Sequence, residues 1–427
     1  MDRGLLPQWV LTDPDVWALE QERVFPRTWQ FLGHESEVPV PGAFVTRWMV
    51  HDPVLVVRGE DGEIRAFLNA CPHRGTLLCT ADAGTQAAFT CPYHGWTFDA
   101  QGALIGVALA HQVWGTELCR AEWGLKPIPR LERYQGLLFG TLDPAAPPLV
   151  EYLGAMTWYL DLLVGRSGGM EVWGPPHRWV VAGNWKLLYE NFTGDPYHVQ
   201  STHRSTVELG ITPQRVVRGW QVVLPHGHGI NVTQYLEVPE RPYQRTPEAL
   251  WPRFREHLNP VQEELLRRAA VLVGGIFPTL SFVSPLHGTG EDLYNFLNLR
   301  VWRPLAPDRV EVWSWCLVDR AAPEAYKRAA YKAYVDSFGP SGTLEQDDTE
   351  MWARVMQASR GWMVRDKTLN YNNVINYLMG FGRVEPDPTF PGPGTAYPGF
   401  VDAVSRSTHR FWLHLLTDGA EEGSGEA

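Results

Sequence analysis

The sequence predicts an α+β protein in which a small all-β domain is inserted ahead of a larger domain of antiparallel strands with covering helices. Three observations carry this. The chain has 427 residues, too many for one typical core. From about Trp29 to Pro148, short β-branched and aromatic runs alternate with turns. Beyond "AAPPLVEY" strand-like and helix-like segments mix. The β domain reads as residues 30–148, and the larger domain as 1–29 with 149–427.

In chain order, residues 14–28 follow Asp13, an N-cap candidate, with Pro14 at the first helical position. They read as a short amphipathic helix. "GAFVTRWMV", "PVLVVRGEDGEIRAFLN", "AAFTCPYHGWTFDAQGAL" and "GLLFGTLD" then read as strands, with hairpin turns at Asp61-Gly62 and Gln101-Gly102. "VEYLGAMTWYLDLL" has helical spacing. "NFLNLRVWRPL" and "DRVEVWSWCLVDR" read as adjacent strands joined at "APD". "PEAYKRAAYKAYVDSF" and "TLEQDDTEMWARVMQAS" read as helices, and the tail "DGAEEGSGEA" as frayed. No internal repeat is visible.

Composition excludes some functions. The formal charge of −11 disfavours a nucleic-acid surface. No run of about 18 apolar residues predicts a membrane span. The N-terminus lacks an apolar signal region, so a cytoplasmic location is expected. Five cysteines are too few and too scattered for a disulfide scaffold.

Two constellations carry chemistry. The first is Cys71-x-His73, then 17 residues, then Cys91-x2-His94. Two thiolates and two imidazoles suit a tetrahedral zinc or a two-iron cluster with mixed ligands. The Cys-x-His arm is unusual for zinc fingers, and Gly75 and Gly95 would let backbone amides approach cluster sulfurs. The spacing therefore favours a cluster while leaving zinc open. Cys79, Cys119 and Cys316 lie outside the pattern and read as small buried hydrophobes.

The second is "ENFTGDPYHVQSTH", with Asn191, Asp195, His198 and His203. Residues five apart on an ideal helix point about 140° apart. His198 and His203 can share a metal only if the helix ends or distorts between them, and "VQST" permits that. Two imidazoles and a carboxylate with open positions form the facial triad of non-heme Fe(II) oxygenases. Asp195, three residues before His198, would share its helical face, or cap a break at "GDP".

"CPHRG…CPYHGW" resembles the Rieske signature, and "GDPYHVQSTH" resembles the catalytic iron site of the Rieske ring-hydroxylating oxygenases. "FLNACPHRG", "GPPHRWVVAGNWK" and "RVWRPLAPDRVEVWSW" extend the likeness along nearly the whole chain, toward the α (large) subunits of the naphthalene and polycyclic branch. The resemblance implies a [2Fe-2S] cluster held by Cys71, Cys91, His73 and His94, and a helix-grip-like catalytic domain. It implies one mononuclear Fe(II) on His198, His203 and an acid of "GTLEQDDTEMW". Asp348 falls on the ligand position, with Asp347 the competitor that spacing cannot separate. It makes Asp195 a bridge from His198 to His94 of a neighbouring subunit, and places Asn191 near the iron. Phe192, Val199 and Leu344 flank these ligands and are candidate pocket walls.

The function so implied is O2- and electron-dependent cis-dihydroxylation of an aromatic hydrocarbon or aromatic acid. No dinucleotide fingerprint is present, so NADH acts only through a partner reductase, often with a ferredoxin. An α3β3 assembly with a β subunit, or an α3 trimer, is expected. Three rivals predict otherwise: a Rieske monooxygenase or demethylase on a non-aromatic or methylated substrate, a non-enzymatic electron carrier, and a zinc-stabilised binding protein. His226 and His228 could suggest another metal, but no Cys or acid accompanies them. His287, His409 and His414 read as ordinary structural residues.

Overall fold

The computed structural model describes residues 4–211, 217–374 and 384–417; the expected frayed tail lies outside them. The chain forms two compact units, residues 26–149 and residues 1–25 with 150–427.

The smaller unit is built from antiparallel sheets. One has four strands, in the order Ile64–Leu68, Asp52–Arg58, Ala43–Met49, Ala83–Thr85. Two have three strands each, one of them Ala88–Thr90, Thr97–Asp99 and Leu104–Gly106. Both predicted hairpins form. Asp61-Gly62 lies between strands in which Arg58 faces Ile64, and Gln101-Gly102 between Thr97–Asp99 and Leu104–Gly106. Gly62 and Gly102 have φ of +83° and +84°, a conformation that favours glycine. Phe44, Leu55, Val57, Phe89 and Phe98 form a core that also takes in Cys71 and Cys91.

The larger unit centres on one open antiparallel sheet. Its order is Met170–Val172, Arg309–Asp319, Leu297–Ala306, Leu280–Ser284, Ala269–Ile276, Gly229–Tyr235, Val217–Val223, Thr395–Pro398, with His177–Ala182 also paired to Arg309–Asp319. The predicted pair turning at "APD" is present, with Ala306 opposite Arg309. Helices Trp185–Thr193, Glu324–Phe338, Thr343–Ser359 and Ala403–Leu416 pack against these strands. The segment from Leu149 is broken into helical turns at Gly154, whose φ is +50°.

Two sequence expectations are corrected here. The first helix spans Pro14–Arg23 and stops well short of residue 28. Pro26 disfavours helix in the residue before it and ends the run. The Asp13 cap is real, accepting from the N–H groups of Asp15 (2.9 Å) and Val16 (3.1 Å). The one residue this helix buries fully is Glu20, an acid rather than an apolar group. Its carboxylate accepts from Lys186 Nζ (2.6 Å), Trp185 Nε1 (3.0 Å) and Trp412 Nε1 (2.8 Å), so the charge is paired and hydrogen-bonded. Cys119 is the second correction: it is exposed, on a loop before a short turn, while Cys316 is buried and Cys79 half-buried.

Candidate metal centres and the cavity between strands and helices

In the smaller unit, two loops repeat one hydrogen-bond pattern. The Cys71 N–H donates to Thr76 O (2.9 Å) and the Gly75 N–H to Cys71 O (2.8 Å). The Cys91 N–H donates to Trp96 O (2.7 Å) and the Gly95 N–H to Cys91 O (3.0 Å). Gly75 and Gly95 sit at φ +74° and +69°, which closes each loop tightly. The loops present Cys71 and Cys91 as buried free thiols. His73 and His94 lie with ring centroids 4.5 Å apart.

These residues fit an iron–sulfur cluster. The Nδ1 atom of His73 is buried with no hydrogen-bond partner, as a ligand atom would be. Its ring stacks on Trp96 at 5.0 Å, nearly parallel, which fixes its orientation. Burial pushes the Cys71 thiol up, while the backbone N–H groups of His73 and Arg74 pull it down. Such donors suit a metal-bound thiolate.

In the larger unit, helix Trp185–Thr193 starts at Asn184, whose side chain accepts from the Lys186 N–H at 3.0 Å. It ends at Gly194, where a Cβ would lie 2.1 Å from Ser405 Oγ. Asp195 is therefore not on a helical face with His198, contrary to the simpler expectation. Gly194 and Pro196 break the helix, and Asp195 caps the next turn, Pro196–His198, by accepting from the His198 N–H (3.2 Å). After Val199–Thr202 the chain breaks again at His203 (φ −100°, ψ 22°). This second break turns His203 back, so that its ring centroid lies 5.2 Å from that of His198.

Helix Thr343–Ser359 supplies the acid. Ligand atoms of His198, His203 and Asp348 all lie within 4.8 Å of one another. Asp348 Oδ1 is 3.2 Å from His203 Nε2 and 3.5 Å from His198 Nε2, yet it is buried with no aligned hydrogen bond. Three ligand atoms this close, with Asp348 Oδ1 making no hydrogen bond to either ring, fit a metal ion. Asp347 points elsewhere: its Oδ2 lies 3.3 Å from His203 Nδ1. His198 Nδ1 is held by the backbone O of Asp195, with Asp195 Oδ2 at 3.5 Å. Burial alone would lower the His198 pKa, but Asp195 and Asp348 outweigh it and leave it raised. The same negative field favours a cation.

The three residues open on a cavity of about 320 Å³. Phe192, Val199 and Leu344 line it, as do Asn191 and Asp195. Asn191 Oδ1 accepts from Trp352 Nε1 at 3.3 Å. The sequence reading missed the sheet side of the cavity, which includes Asn231, Thr233, Val271, Val273 and Val283. Residues 231 and 233 share one strand face, as do 271 and 273, and that alternation was the available signal. Beneath the wall lies a buried ion pair that reasoning from sequence also missed. Arg300, paired with Glu345, donates from Nε to Asn298 Oδ1 (2.8 Å) and from Nη2 to Phe338 O (2.9 Å). Its guanidinium lies 4.8 Å from the Phe192 ring centroid and 5.1 Å from that of Phe338.

The other histidines singled out in the sequence stand apart from both constellations. His226 Nδ1 and His228 Nε2 both lie against Tyr152 O (2.8 and 3.0 Å). His409 is buried beside Glu190 (2.8 Å), His287 is buried, and His414 is exposed.

Comparison with known proteins agrees with both halves of this picture. Residues 28–117 match the Rieske [2Fe-2S] domain, and residues 151–407 match the ring hydroxylating alpha subunit (catalytic domain). The chain belongs to the ring-hydroxylating oxygenase α-subunit family, and so carries a Rieske [2Fe-2S] domain and the catalytic domain of a non-heme iron oxygenase. Within that family it is similar to the large components of aromatic dioxygenases. It is 35% identical to the naphthalene 1,2-dioxygenase large oxygenase component of Pseudomonas aeruginosa, over 92% of this chain and 88% of that protein. It is 33% identical to the biphenyl dioxygenase subunit alpha of Paraburkholderia xenovorans (strain LB400), over 98% and 92%. The N,N-dimethyl phenylurea N-demethylase subunit alpha of Sphingobium sp. (strain YBL2) is 34% identical, over 97% and 92%. The crystal structure of naphthalene 1,2-dioxygenase from Rhodococcus sp. bound to indole superposes with a TM-score of 0.91 at 40% identity, over 97% and 95% of the two chains. Members of this family are the large oxygenase components of multicomponent systems with electron-transfer partners. Among the described residues, no helix is long and apolar enough to cross a membrane.

Proposed function

We propose that the chain catalyses cis-dihydroxylation of an aromatic substrate, in which the ring, O2, two electrons and two protons give a cis-dihydrodiol. The observation that carries this is the convergence of His198, His203 and Asp348 at one wall of an otherwise largely apolar cavity. The domain of about residues 30–148 holds the cluster, through Cys71, Cys91, His73 and His94. The domain of residues 1–29 and 149–427 holds the mononuclear iron, through His198, His203 and Asp348. Iron bound there supplies the site at which O2 is reduced beside the ring.

The chain's own residues do the rest. Phe192, Val199 and Leu344 hold the ring against the metal edge and exclude water. Asp195 orients His198 through Nδ1, and Asp347 does the same for His203, the usual outer support of a metal-bound imidazole. Asp195 is also the bridge to His94 of a neighbouring copy, a role that suits its part-exposed carboxylate and the exposed His94. Asn191 stands at the cavity beside these ligands. Electrons come from a reductase, with or without a ferredoxin, in a cytoplasmic α3β3 or α3 assembly.

Demethylation of a methylated substrate is the second reading, favoured by the likeness to the phenylurea N-demethylase subunit. Turnover with a reductase and a panel of aromatic substrates separates the two. Cis-diols with both oxygens from O2 support dihydroxylation. Formaldehyde without a diol would replace it with demethylation.

A further inference from the structure

We propose that Asn231 reads the substrate, and that the natural substrate is an uncharged aromatic bearing an N–H or O–H donor on or beside its ring. This rests on the reading above, in which the cavity beside His198 receives an aromatic molecule.

Strand Gly229–Tyr235 places residues 231, 233 and 235 on one face, and Asn231, Thr233 and Tyr235 all line the cavity. The adjoining strands contribute Val271, Val273 and Val283. One strand therefore lays a polar stripe along an otherwise apolar wall. Asn231 is 3% exposed. Its Nδ2 donates to Thr193 O at 2.7 Å, which fixes which end of the amide is which. The other end, Oδ1, is buried and has no partner.

A buried acceptor without a donor is destabilising, and native structures seldom keep one without a use. A plain hydrocarbon filling the cavity would leave Oδ1 unpaired. A substrate donor pressed against this wall would pair it and fix the orientation of the ring. Charge narrows the class further. The acids Asp195 and Asp348 line the cavity, and no Lys or Arg does so among its described lining residues. Iron held by His198, His203 and Asp348 would offset the charges of Asp348 and Asp195, which leaves an aromatic carboxylate no further counter-ion among these lining residues. The chemistry that fits is neutral and donating, as in an arylamide, a phenol or an N–H heterocycle.

The test compares indole with benzofuran, a near-isostere that lacks the donor. Dissociation constants are measured by calorimetry on the anaerobic holoprotein, loaded with both iron centres, for wild type, Asn231→Leu and Asn231→Ala. Indole is expected to bind at least ~tenfold more tightly relative to benzofuran in wild type than in either variant. The melting temperature and cluster absorption show whether a variant is folded. An unchanged indole-to-benzofuran ratio in a folded variant would overturn the proposal. So would wild type that prefers benzofuran, a result that stands even if both variants misfold. If benzofuran or indene is oxidised to a cis-diol while the ratio is unchanged, the inference fails and the dihydroxylation reading stands. If no aromatic of the series is oxidised, that reading fails too.

Discussion

His203 Nε2 lies 3.2 Å from Asp348 Oδ1, while the other nitrogen of the same ring lies 3.3 Å from Asp347 Oδ2. One imidazole thus separates two adjacent acids by position. Neighbours on a helix point about 100° apart, so only one of them can face the metal. Asp348→Ala is expected to lose the mononuclear iron and keep the cluster absorption. Asp347→Asn should keep that iron but bind it about 10–100-fold more weakly, as loss of an outer ligand partner does. Iron analysis with chelator competition on both variants checks this, and the opposite ranking would exchange the two roles.

Asp195 has an observed role as a cap and a proposed one as a bridge, and substitutions can divide them. As a cap, its loss in Asp195→Ala should cost about 1 kcal/mol of stability. As the proposed bridge, its loss should stop reductase-driven turnover while both iron centres stay loaded. Asp195→Asn keeps a capping oxygen without the charge, so its stability should recover while turnover stays low. Normal turnover in either variant would remove the bridging role.

The Arg300–Glu345 pair is buried, with side-chain exposures of 0% and 1%. Glu345 stands one turn before Asp348 on the same helix, and Arg300 lies against Phe192 and Phe338, both of which line the cavity. Arg300→Met alone leaves Glu345 unpaired and should cost about 3–5 kcal/mol. The double variant Arg300→Met with Glu345→Leu should regain most of that, since a packed apolar pair can replace a buried ion pair. Denaturant unfolding of the three proteins decides it. A double variant no more stable than the single would mean that the charges themselves are required.

His228 gives the stability a pH dependence. It is fully buried, accepts from the Phe277 N–H at Nδ1 (3.0 Å), and burial pulls its pKa down to about 3 from an ordinary 6.5. Between those values the unfolded chain binds a proton that the folded chain does not. The contribution of His228 is therefore intact above about pH 6.5 and is lost as pH falls, by up to about 1.4 kcal/mol per pH unit. His228→Asn should be less stable at pH 7 but lose stability less steeply between pH 6 and 4. Parallel pH profiles for the two proteins would contradict this.

Legibility from sequence followed the range of the interaction. The four residues proposed to hold the cluster were readable because each loop is local: a Cys, a Pro, a His and a Gly within six positions define the turn. The pairing of His198 and His203 was readable only as a condition, that the helix break between them, and the break falls at His203 itself. The choice between Asp347 and Asp348 depends on how a helix is rotated against His203, 144 residues before Asp347, which spacing does not encode. The sheet wall was hidden for another reason. Alternation in "GINVTQY" and "AAVLVGGI" marks which faces are buried, but not that burial opens on a cavity. Glu20 shows the reverse case: an acid, a residue type seldom buried, is buried because Lys186 and two indoles reach it from distant helices.

If one chain carries two separate iron centres, the iron content of anaerobically purified protein shows it. Wild type should hold about three irons per chain, two in the cluster and one mononuclear, and His198→Ala about two with the visible spectrum unchanged. Zinc in place of iron, or a His198→Ala protein that loses the visible absorption along with its mononuclear iron, would rule out two separate iron centres.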